Sequence, residues 1–106
     1  RPHWILAVGK AAEAMAAASV IECRARGLPL SGGLVIATAG LTGSESPRHD
    51  ADGLEHLPGD HPVPGIRSRR AADAIAALIE RIDRDDVVIV CISGGTSSLI
   101  GAPIAG

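Results

Sequence analysis

Aromatic side chains are almost absent from this sequence. Its 106 residues include Trp4 but no tyrosine and no phenylalanine. The hydrophobic core must therefore consist of alanine, valine, isoleucine and leucine, whose small side chains suit close packing of helices against a sheet. With 46% hydrophobic and 21% charged residues, the composition is typical of a folded domain and excludes wholesale disorder.

Several further absences narrow the class of protein. The formal net charge of −2 provides no basic surface for general nucleic-acid binding. No apolar run approaches the roughly 20 residues that a membrane-spanning helix needs, and no signal peptide is visible. Cys23 and Cys91 form no CxxC pair, so they are interpreted as reduced packing residues. We therefore expect a cytoplasmic protein with no nucleic-acid or membrane partner.

Short apolar runs alternate with helical periodicity along the chain. Residues 5–8, 34–37 and 87–92 predict buried strands, and residues 54–57 predict a short strand with one solvent-facing side. Residues 38–53 are rich in Gly, Ser, His and Asp and predict an exposed loop. Alternation of this kind favours right-handed crossovers. The predicted fold class is α/β, with a Rossmann-like parallel sheet and flanking helices that form a partial domain.

Two helices are predicted between these strands. The first follows Gly9 and is ended by Gly27. Its apolar residues on one face are Ala11, Met15, Ala18, Ile21 and Ala25. The second covers about residues 68–82, with Ser68 as its N-cap. Its predicted inner face consists of Ala71, Ala72, Ile75, Leu78, Ile79 and Ile82.

The first candidate site lies at Gly9 and Lys10, directly after the first strand. Ligands of open parallel sheets bind beyond the carboxyl ends of the strands, and Gly9 permits a tight turn there. Lys10 falls in the first turn of the helix, where a cation opposes the helix dipole and lowers stability slightly. An anion held between Lys10 and free backbone N–H groups would explain this residue. The alternative is an exposed lysine in a turn.

The second candidate site is the ISGGTSSL segment that follows the last strand. Gly94 and Gly95 allow backbone N–H groups to converge on a ligand without obstruction by a Cβ atom. Hydroxyl groups are supplied by Ser93, Thr96, Ser97 and Ser98. Such a loop suits the oxygens of a phosphate or a carboxylate, although a plain glycine-rich turn with a serine cap is the alternative. We expect this loop and Lys10 to open onto one anion pocket at the same edge of the sheet.

Familiar catalytic motifs are missing. The sequence has no GxxxxGK[ST] phosphate loop, no GxGxxG after a strand and no GxSxG elbow. The four histidines lack the spacing of metal ligands, so no metal-binding residue is predicted. His61 lies beside Asp60 in a segment stiffened by Pro62 and Pro64, which could present it to a ligand or could be a rigid surface turn.

Three segments resemble one family in both sequence and order. VGKAAEAMA, GDHPVPG and ISGGTSSLIGAP are similar to segments of the glycerate 2-kinase family, whose C-terminal part is called MOFRL and whose members are often labelled hydroxypyruvate reductases. The resemblance covers most of the chain, from about Trp4 onward. Two departures are visible: Thr96 stands where the family commonly has a third glycine, and the residues after Ala37 differ from the family's polar stretch.

The resemblance implies ATP-dependent phosphorylation of D-glycerate to 2-phosphoglycerate, with ATP and a divalent cation, Mg²⁺, as cofactors. Residues 1–106 would be part of the N-terminal Rossmann-like domain of a longer kinase chain, whose C-terminal domain is the missing part of the active-site cleft. The isolated chain is therefore expected to be inactive, and a homodimer is left open. Lys10 would be the catalytic residue. The residues implied to bind substrate or phosphate are Gly9, Ser93, Gly94, Gly95, Thr96, Ser97 and His61.

Two other functions stay open at this point. Sheets of this type also place Gly/Ser loops at strand ends in phosphosugar-binding or isomerase-type modules. A hydroxypyruvate reductase is suggested by the labels of the family, but the dinucleotide-binding fingerprint is missing. The residues alone leave undecided whether the loop after Ile92 meets a phosphate or the carboxylate of glycerate.

Overall fold

Strands and helices alternate in the computed structural model, which describes residues 1–38, 48–59 and 66–94. In chain order these elements are β1 (His3–Val8), α1 (Ala12–Ala25), β2 (Leu30–Thr38), β3 (Arg48–His49), β4 (Leu54–Gly59), α2 (Ile66–Arg81) and β5 (Val87–Ile92). The predicted bounds of the last strand are confirmed.

The strands form one sheet in the order β3-β4-β2-β1-β5. β1 pairs in parallel with both β2 and β5, and β2 pairs in parallel with β4. The short β3 is antiparallel to β4 and lies in a segment that the sequence predicted to be a loop. The α/β fold and its mainly parallel sheet are therefore confirmed. The antiparallel strand β3 was not predicted, because a strand of two residues is too short to show an alternating pattern.

The helices cover opposite faces of this sheet. Ile5, Ala7 and Val35 pack on the α1 side, together with Ala12, Ala16 and Val20 of the helix. Trp4, Val8, Leu34 and Ile36 pack on the α2 side, together with Ala71 and Leu78. Right-handed crossovers require this arrangement, because the chain moves one way along the sheet from β1 to β2 and the other way from β4 to β5.

The buried face of α1 is not the predicted one. Its buried residues are Ala12, Ala16, Val20 and Cys23, whereas Ile21 of the predicted face is 67% exposed. Alanine occupies so many positions of this helix that an apolar face shifted by one residue is as continuous as the predicted face. The larger side chains of Val20 and Cys23 select the face that packs on the sheet.

The predictions for α2 and β4 also need correction. Ile79 is 61% exposed, since it lies one position, about 100° around the helix, from the buried Leu78. The helix begins at Ile66, so Ser68 lies within its first turn and is not the N-cap. In β4, Leu54 packs on the α1 side and Leu57 on the α2 side, so this strand is buried on both faces.

Candidate functional site

The carboxyl ends of β1 and β5 lie side by side. Their register runs from His3 opposite Val87 to Val8 opposite Ile92. The chain leaves the carboxyl end of β1 toward α1. Open α/β sheets bind their ligands beyond the carboxyl ends of the strands.

Gly9 brings the chain after β1 into close contact with the end of β5. Its φ of +124° lies in a region that side-chain-bearing residues rarely adopt. A Cβ atom at this position would overlap Ser93 Oγ and would lie 2.8 Å from the Ser93 carbonyl oxygen. The Gly9 N–H donates to the Ile36 carbonyl oxygen at 3.1 Å. Glycine is thus required here both by backbone conformation and by space.

Three hydrogen bonds join the two candidate segments. The Ser93 N–H donates to the Val8 carbonyl oxygen at 2.9 Å, and the Lys10 N–H donates to the Gly94 carbonyl oxygen at 3.2 Å. The Ala11 N–H donates to Ser93 Oγ at 3.0 Å. The structure therefore brings the Gly9-Lys10 turn and the Ser93-Gly94 turn together at one edge of the sheet.

The backbone N–H groups of the Lys10 turn are not free, however. Those of Lys10 and Ala11 are bonded to Gly94 and Ser93, and that of Ala12 donates to the Gly9 carbonyl oxygen at 3.2 Å. An anion at this edge therefore cannot use these three donors unless the turns rearrange. The prediction that it lies between Lys10 and free N–H groups needs this correction.

The side chain of Lys10 supplies positive charge at this edge. Lys10 is the only lysine of the sequence, it is exposed, and its ammonium group forms no ion pair with the residues that the structure describes. The N-terminal end of α1 adds its partial positive charge to the same place. Glu13 in the first turn is engaged by Arg48 at 3.9 Å. This edge can therefore attract an anion through Lys10 and the helix dipole.

The other predicted site residues lie outside the described residues. These are Gly95, Thr96, Ser97 and His61. The structure thus adds the close contact of four of these residues, Gly9, Lys10, Ser93 and Gly94. The binding role of each predicted site residue stays a prediction.

A second polar cluster, which the sequence analysis missed, lies at β3 and β4. His56 Nε2 and Asp50 Oδ2 are 2.6 Å apart, and since an ionised carboxylate only accepts, the hydrogen belongs to His56. Asp50 Oδ1 accepts from the N–H groups of Asp52 and Leu54 at 2.9 and 3.1 Å. The spacing Asp-x-Asp-x-Leu, typical of an Asx turn, is the signal that could have indicated it.

Burial alone would raise the pKa of Asp50. The hydrogen bonds from His56 and the Leu54 N–H, with the positive charges of His56 and Arg48, outweigh it and lower that pKa below its usual value. This cluster lies on β3 and β4, which β2 separates from β1, whereas Lys10 follows β1 directly. The Asp50–His56 pair therefore holds the turn between β3 and β4 and is not part of the candidate site.

Within residues 1–38, 48–59 and 66–94, no three His, Cys, Asp or Glu side chains are grouped so that they could hold a metal ion. Neither α1 nor α2 combines the length and the apolar character that crossing a membrane requires. No residue of the described part is therefore assigned to a metal.

Known proteins similar to this chain share a family. Residues 1–106 match the family described as "Domain of unknown function (DUF4147)". A "Putative hydroxypyruvate reductase" of Agrobacterium vitis is 37% identical over 93% of this chain, and a "D-glycerate 2-kinase" of Thermotoga maritima is 32% identical over 96%. A "Glycerate kinase" of Rattus norvegicus is 50% identical over a shorter stretch, 40% of this chain and 8% of its own length.

A solved structure supports the fold. The crystal structure of the PH0495 protein from Pyrococcus horikoshii OT3 superposes with a TM-score of 0.70 at 27% identity, and it matches 93% of this chain but 20% of its own. The chain likewise covers only 20% and 22% of the two bacterial relatives, so it spans about a fifth of their length. This chain belongs to the DUF4147 family, the N-terminal domain of the glycerate kinase or MOFRL family that its sequence resembles.

Proposed function

We propose that the complete protein containing this chain catalyses the ATP-dependent phosphorylation of D-glycerate to 2-phosphoglycerate. The observation that carries the proposal is the hydrogen-bonded contact of the Lys10 turn with the Ser93-Gly94 turn, at the carboxyl ends of β1 and β5. The similarity to a protein named "D-glycerate 2-kinase" supports this choice of substrate and reaction. Both lines of support concern the same residues, because the matched region contains both turns.

Lys10 is the residue of this chain to which we assign a catalytic role. Phosphoryl transfer needs little covalent chemistry from a protein, which mainly positions the groups and offsets the charge on the transferred phosphoryl. Lys10 would lie near the glycerate hydroxyl and this phosphoryl group, and its ammonium group would stabilise the developing negative charge. The contact with Gly94 fixes the backbone from which the Lys10 side chain extends.

The segment after β5 would hold the oxygens of a phosphate or of the glycerate carboxylate. In this proposal Gly94, Gly95, Thr96 and Ser97 form that cradle, and His61 contacts the same ligand. Mg²⁺ would accompany ATP and offset phosphate charge; among the described residues no three potential ligands are grouped to hold a metal ion by themselves. The remaining walls of the cleft would come from the C-terminal domain, so the isolated chain should be inactive.

The test is an activity assay of the complete protein with each candidate substrate. Formation of ADP that requires D-glycerate and Mg–ATP, with 2-phosphoglycerate as product, is the expected result. Oxidation of NADH by hydroxypyruvate in place of kinase activity would instead support the reductase, the name carried by the Agrobacterium relative. Thermal stabilisation by sugar phosphates, without any by Mg–ATP, would overturn the proposal in favour of a phosphosugar-binding module.

A further inference from the structure

An ion pair joins α1 to the sheet in the first turn of the helix, close to Lys10. Glu13 Oε1 of this turn lies 3.9 Å from a terminal guanidinium nitrogen of Arg48, which belongs to β3. The side chains of Arg48 and Glu13 are 48% and 43% exposed. A half-exposed carboxylate at this distance can exchange its partner for another cation within reach.

Lys10 is such a cation. The Ala12 N–H donates to the Gly9 carbonyl oxygen at 3.2 Å and closes a turn around Lys10, and Glu13 follows directly after this turn. Side chains three residues apart across a helical turn are neighbours, with about 5–6 Å between their Cβ atoms. Among the ion pairs of the described residues, however, Glu13 is the partner of Arg48 and not of Lys10.

The turn after β3 fixes the strand from which Arg48 extends. Arg48 lies opposite His56 in the antiparallel pair of β3 and β4. The Asp50 N–H donates to the Leu54 carbonyl oxygen at 3.0 Å, and Asp50 Oδ1 accepts from the Leu54 N–H at 3.1 Å. Arg48 therefore reaches Glu13 from a strand whose register is set by its own turn.

Glu13 has opposite effects on the helix and on the candidate site. A carboxylate in the first turn interacts favourably with the helix dipole, so Glu13 stabilises α1. The same negative charge, if it paired with Lys10, would offset the ammonium charge and repel an anion. Arg48 prevents the second effect and leaves the first in place.

We propose that Arg48 is a positioning residue of the anion site: it holds the Glu13 carboxylate toward β3 and thereby keeps the Lys10 ammonium group available for an oxyanion, either a phosphate or the carboxylate of glycerate. The inference rests on the proposed function, because it requires Lys10 to bind an anion. Without the charge of Arg48, Glu13 turns to Lys10 and competes with the ligand. Exposed ion pairs are weak, so this competition should change the affinity by about two- to fivefold.

Binding of inorganic phosphate and of D-glycerate to the complete protein tests this inference. Each anion is titrated at low ionic strength, where exposed charges are least screened. The dissociation constant is obtained from the protection of Lys10 against acetylation by acetic anhydride, followed by mass spectrometry of the peptide with Lys10, the only lysine of residues 1–106. We expect Arg48→Gln to weaken binding of the protecting anion by about two- to fivefold.

Removal of the Glu13 charge separates an electrostatic role of Arg48 from a structural one. The double variant Arg48→Gln/Glu13→Gln should bind the anion at least as tightly as the wild type, because no carboxylate is left to pair with Lys10. Arg48→Lys keeps the charge and should also restore the affinity. Arg24→Gln is the matched control. Arg24 pairs with Asp52 in the turn after β3, about 16 Å along α1 from Glu13, so its loss should not change the affinity.

Two results would overturn the inference. Unchanged affinity in Arg48→Gln would mean that Glu13 does not compete for Lys10. Equally weak binding by Arg48→Gln and the double variant would mean that Arg48 binds the anion itself or only supports β3. Either result leaves the proposed kinase function standing. If neither anion protects Lys10 in the wild type, the anion-binding role of Lys10 fails together with this inference.

Glu13→Gln alone covers the case in which Arg48→Gln does not fold. Its affinity for the protecting anion should stay within about twofold of the wild type, because Arg48 already engages the carboxylate that is removed. A larger gain in affinity would mean that Glu13 already pairs with Lys10 in the wild type, and it would contradict the role assigned to Arg48.

Discussion

Ser93 Oγ accepts a hydrogen bond from the backbone N–H of Ala11 at 3.0 Å. The hydroxyl thus belongs to the end of β5, and the amide belongs to the residue before α1. No side chain of the helix's own N-cap position makes a capping hydrogen bond, so the cap is supplied from another strand. The start of α1, and with it Lys10, is held in place by a residue 82 positions later in the chain.

Removal of this hydroxyl should destabilise the complete protein. Ser93→Ala leaves the Ala11 N–H without its acceptor, and loss of a capping side chain costs about 0.5–2 kcal/mol. Ser31→Ala is the matched control, since Ser31 is exposed on β2, and its loss should cost no more than about 0.5 kcal/mol. Denaturant unfolding measures both, and equal losses would contradict the role assigned to Ser93.

The two glycines that flank α1 should respond differently to alanine. Both have positive φ, +124° at Gly9 and +66° at Gly27, but a Cβ at Gly27 would meet nothing within 4 Å. Gly27→Ala should therefore cost only the backbone term, about 1–2 kcal/mol. Gly9→Ala should cost clearly more, because Ser93 must also move, and it should lower kinase activity. Thermal unfolding and turnover of both variants provide the comparison, and indistinguishable variants would argue against close packing at Gly9.

Replacement of Lys10 should affect turnover much more than stability. Lys10→Met in the complete protein removes the proposed charge contact and should reduce turnover by about 10²-fold or more. The melting temperature should hardly change, since Lys10 is exposed. Arg26→Met is the control, because Arg26 lies beyond the other end of α1, where it pairs with Glu22. Turnover of Lys10→Met within a few-fold of the wild type would refute the assignment.

The Asp50–His56 pair should make stability depend on acid pH. The pKa of Asp50 is lowered in the folded protein, so its contribution to stability is present above the ordinary carboxyl pKa of about 3.9 and disappears as the pH falls through the folded value. In Asp50→Asn, the free energy of unfolding should therefore decrease less steeply than in the wild type as the pH is lowered below about 4. The exposed Asp85→Asn should leave that slope nearly unchanged, and an unaltered slope in Asp50→Asn would count against the pair.

Asp86 should add to the same acid dependence. Its carboxylate accepts from the Asp83 N–H at 3.0 Å and from Trp4 Nε1 at 2.8 Å, and both hydrogen bonds lower its pKa. Stability from this group is therefore also lost as the pH falls. The Asp50→Asn/Asp86→Asn double variant should show a flatter profile than either single variant in the same denaturation series. If the unfolding free energy of the double variant depends on pH as steeply as that of Asp50→Asn, Asp86 does not contribute to the acid dependence.

Local patterns of this sequence were sufficient to locate the longer strands, but not the helix faces or β3. The bounds of β5 were predictable because six apolar residues lie between Asp86 and Ser93. The buried face of α1 was not, since alanine is small and apolar on every side of that helix. The two-residue strand β3 is too short to have a period, and only its pairing with β4 defines it.

The candidate site could be located from the sequence, but its internal bonding could not. Parallel strands place their carboxyl ends at one edge of the sheet, so a shared edge for Lys10 and Ser93 was a reasonable prediction. The partners of individual N–H groups depend on how closely the chain after β1 approaches Ser93, and Gly9 permits that close approach. The Asp50–His56 contact depends on a turn that periodicity does not detect.

The pairing of β1 with β5 has a consequence for the order of folding. These strands comprise residues 3–8 and 87–92, so β1 meets this neighbour only after some 80 further residues have been synthesised. Long-range pairing of this kind is slow compared with local helix formation. On the ribosome, the turn at Lys10 could therefore adopt its final conformation only after the end of β5 has been synthesised. A nascent chain arrested before Val87 should contain helices but no assembled edge at Lys10.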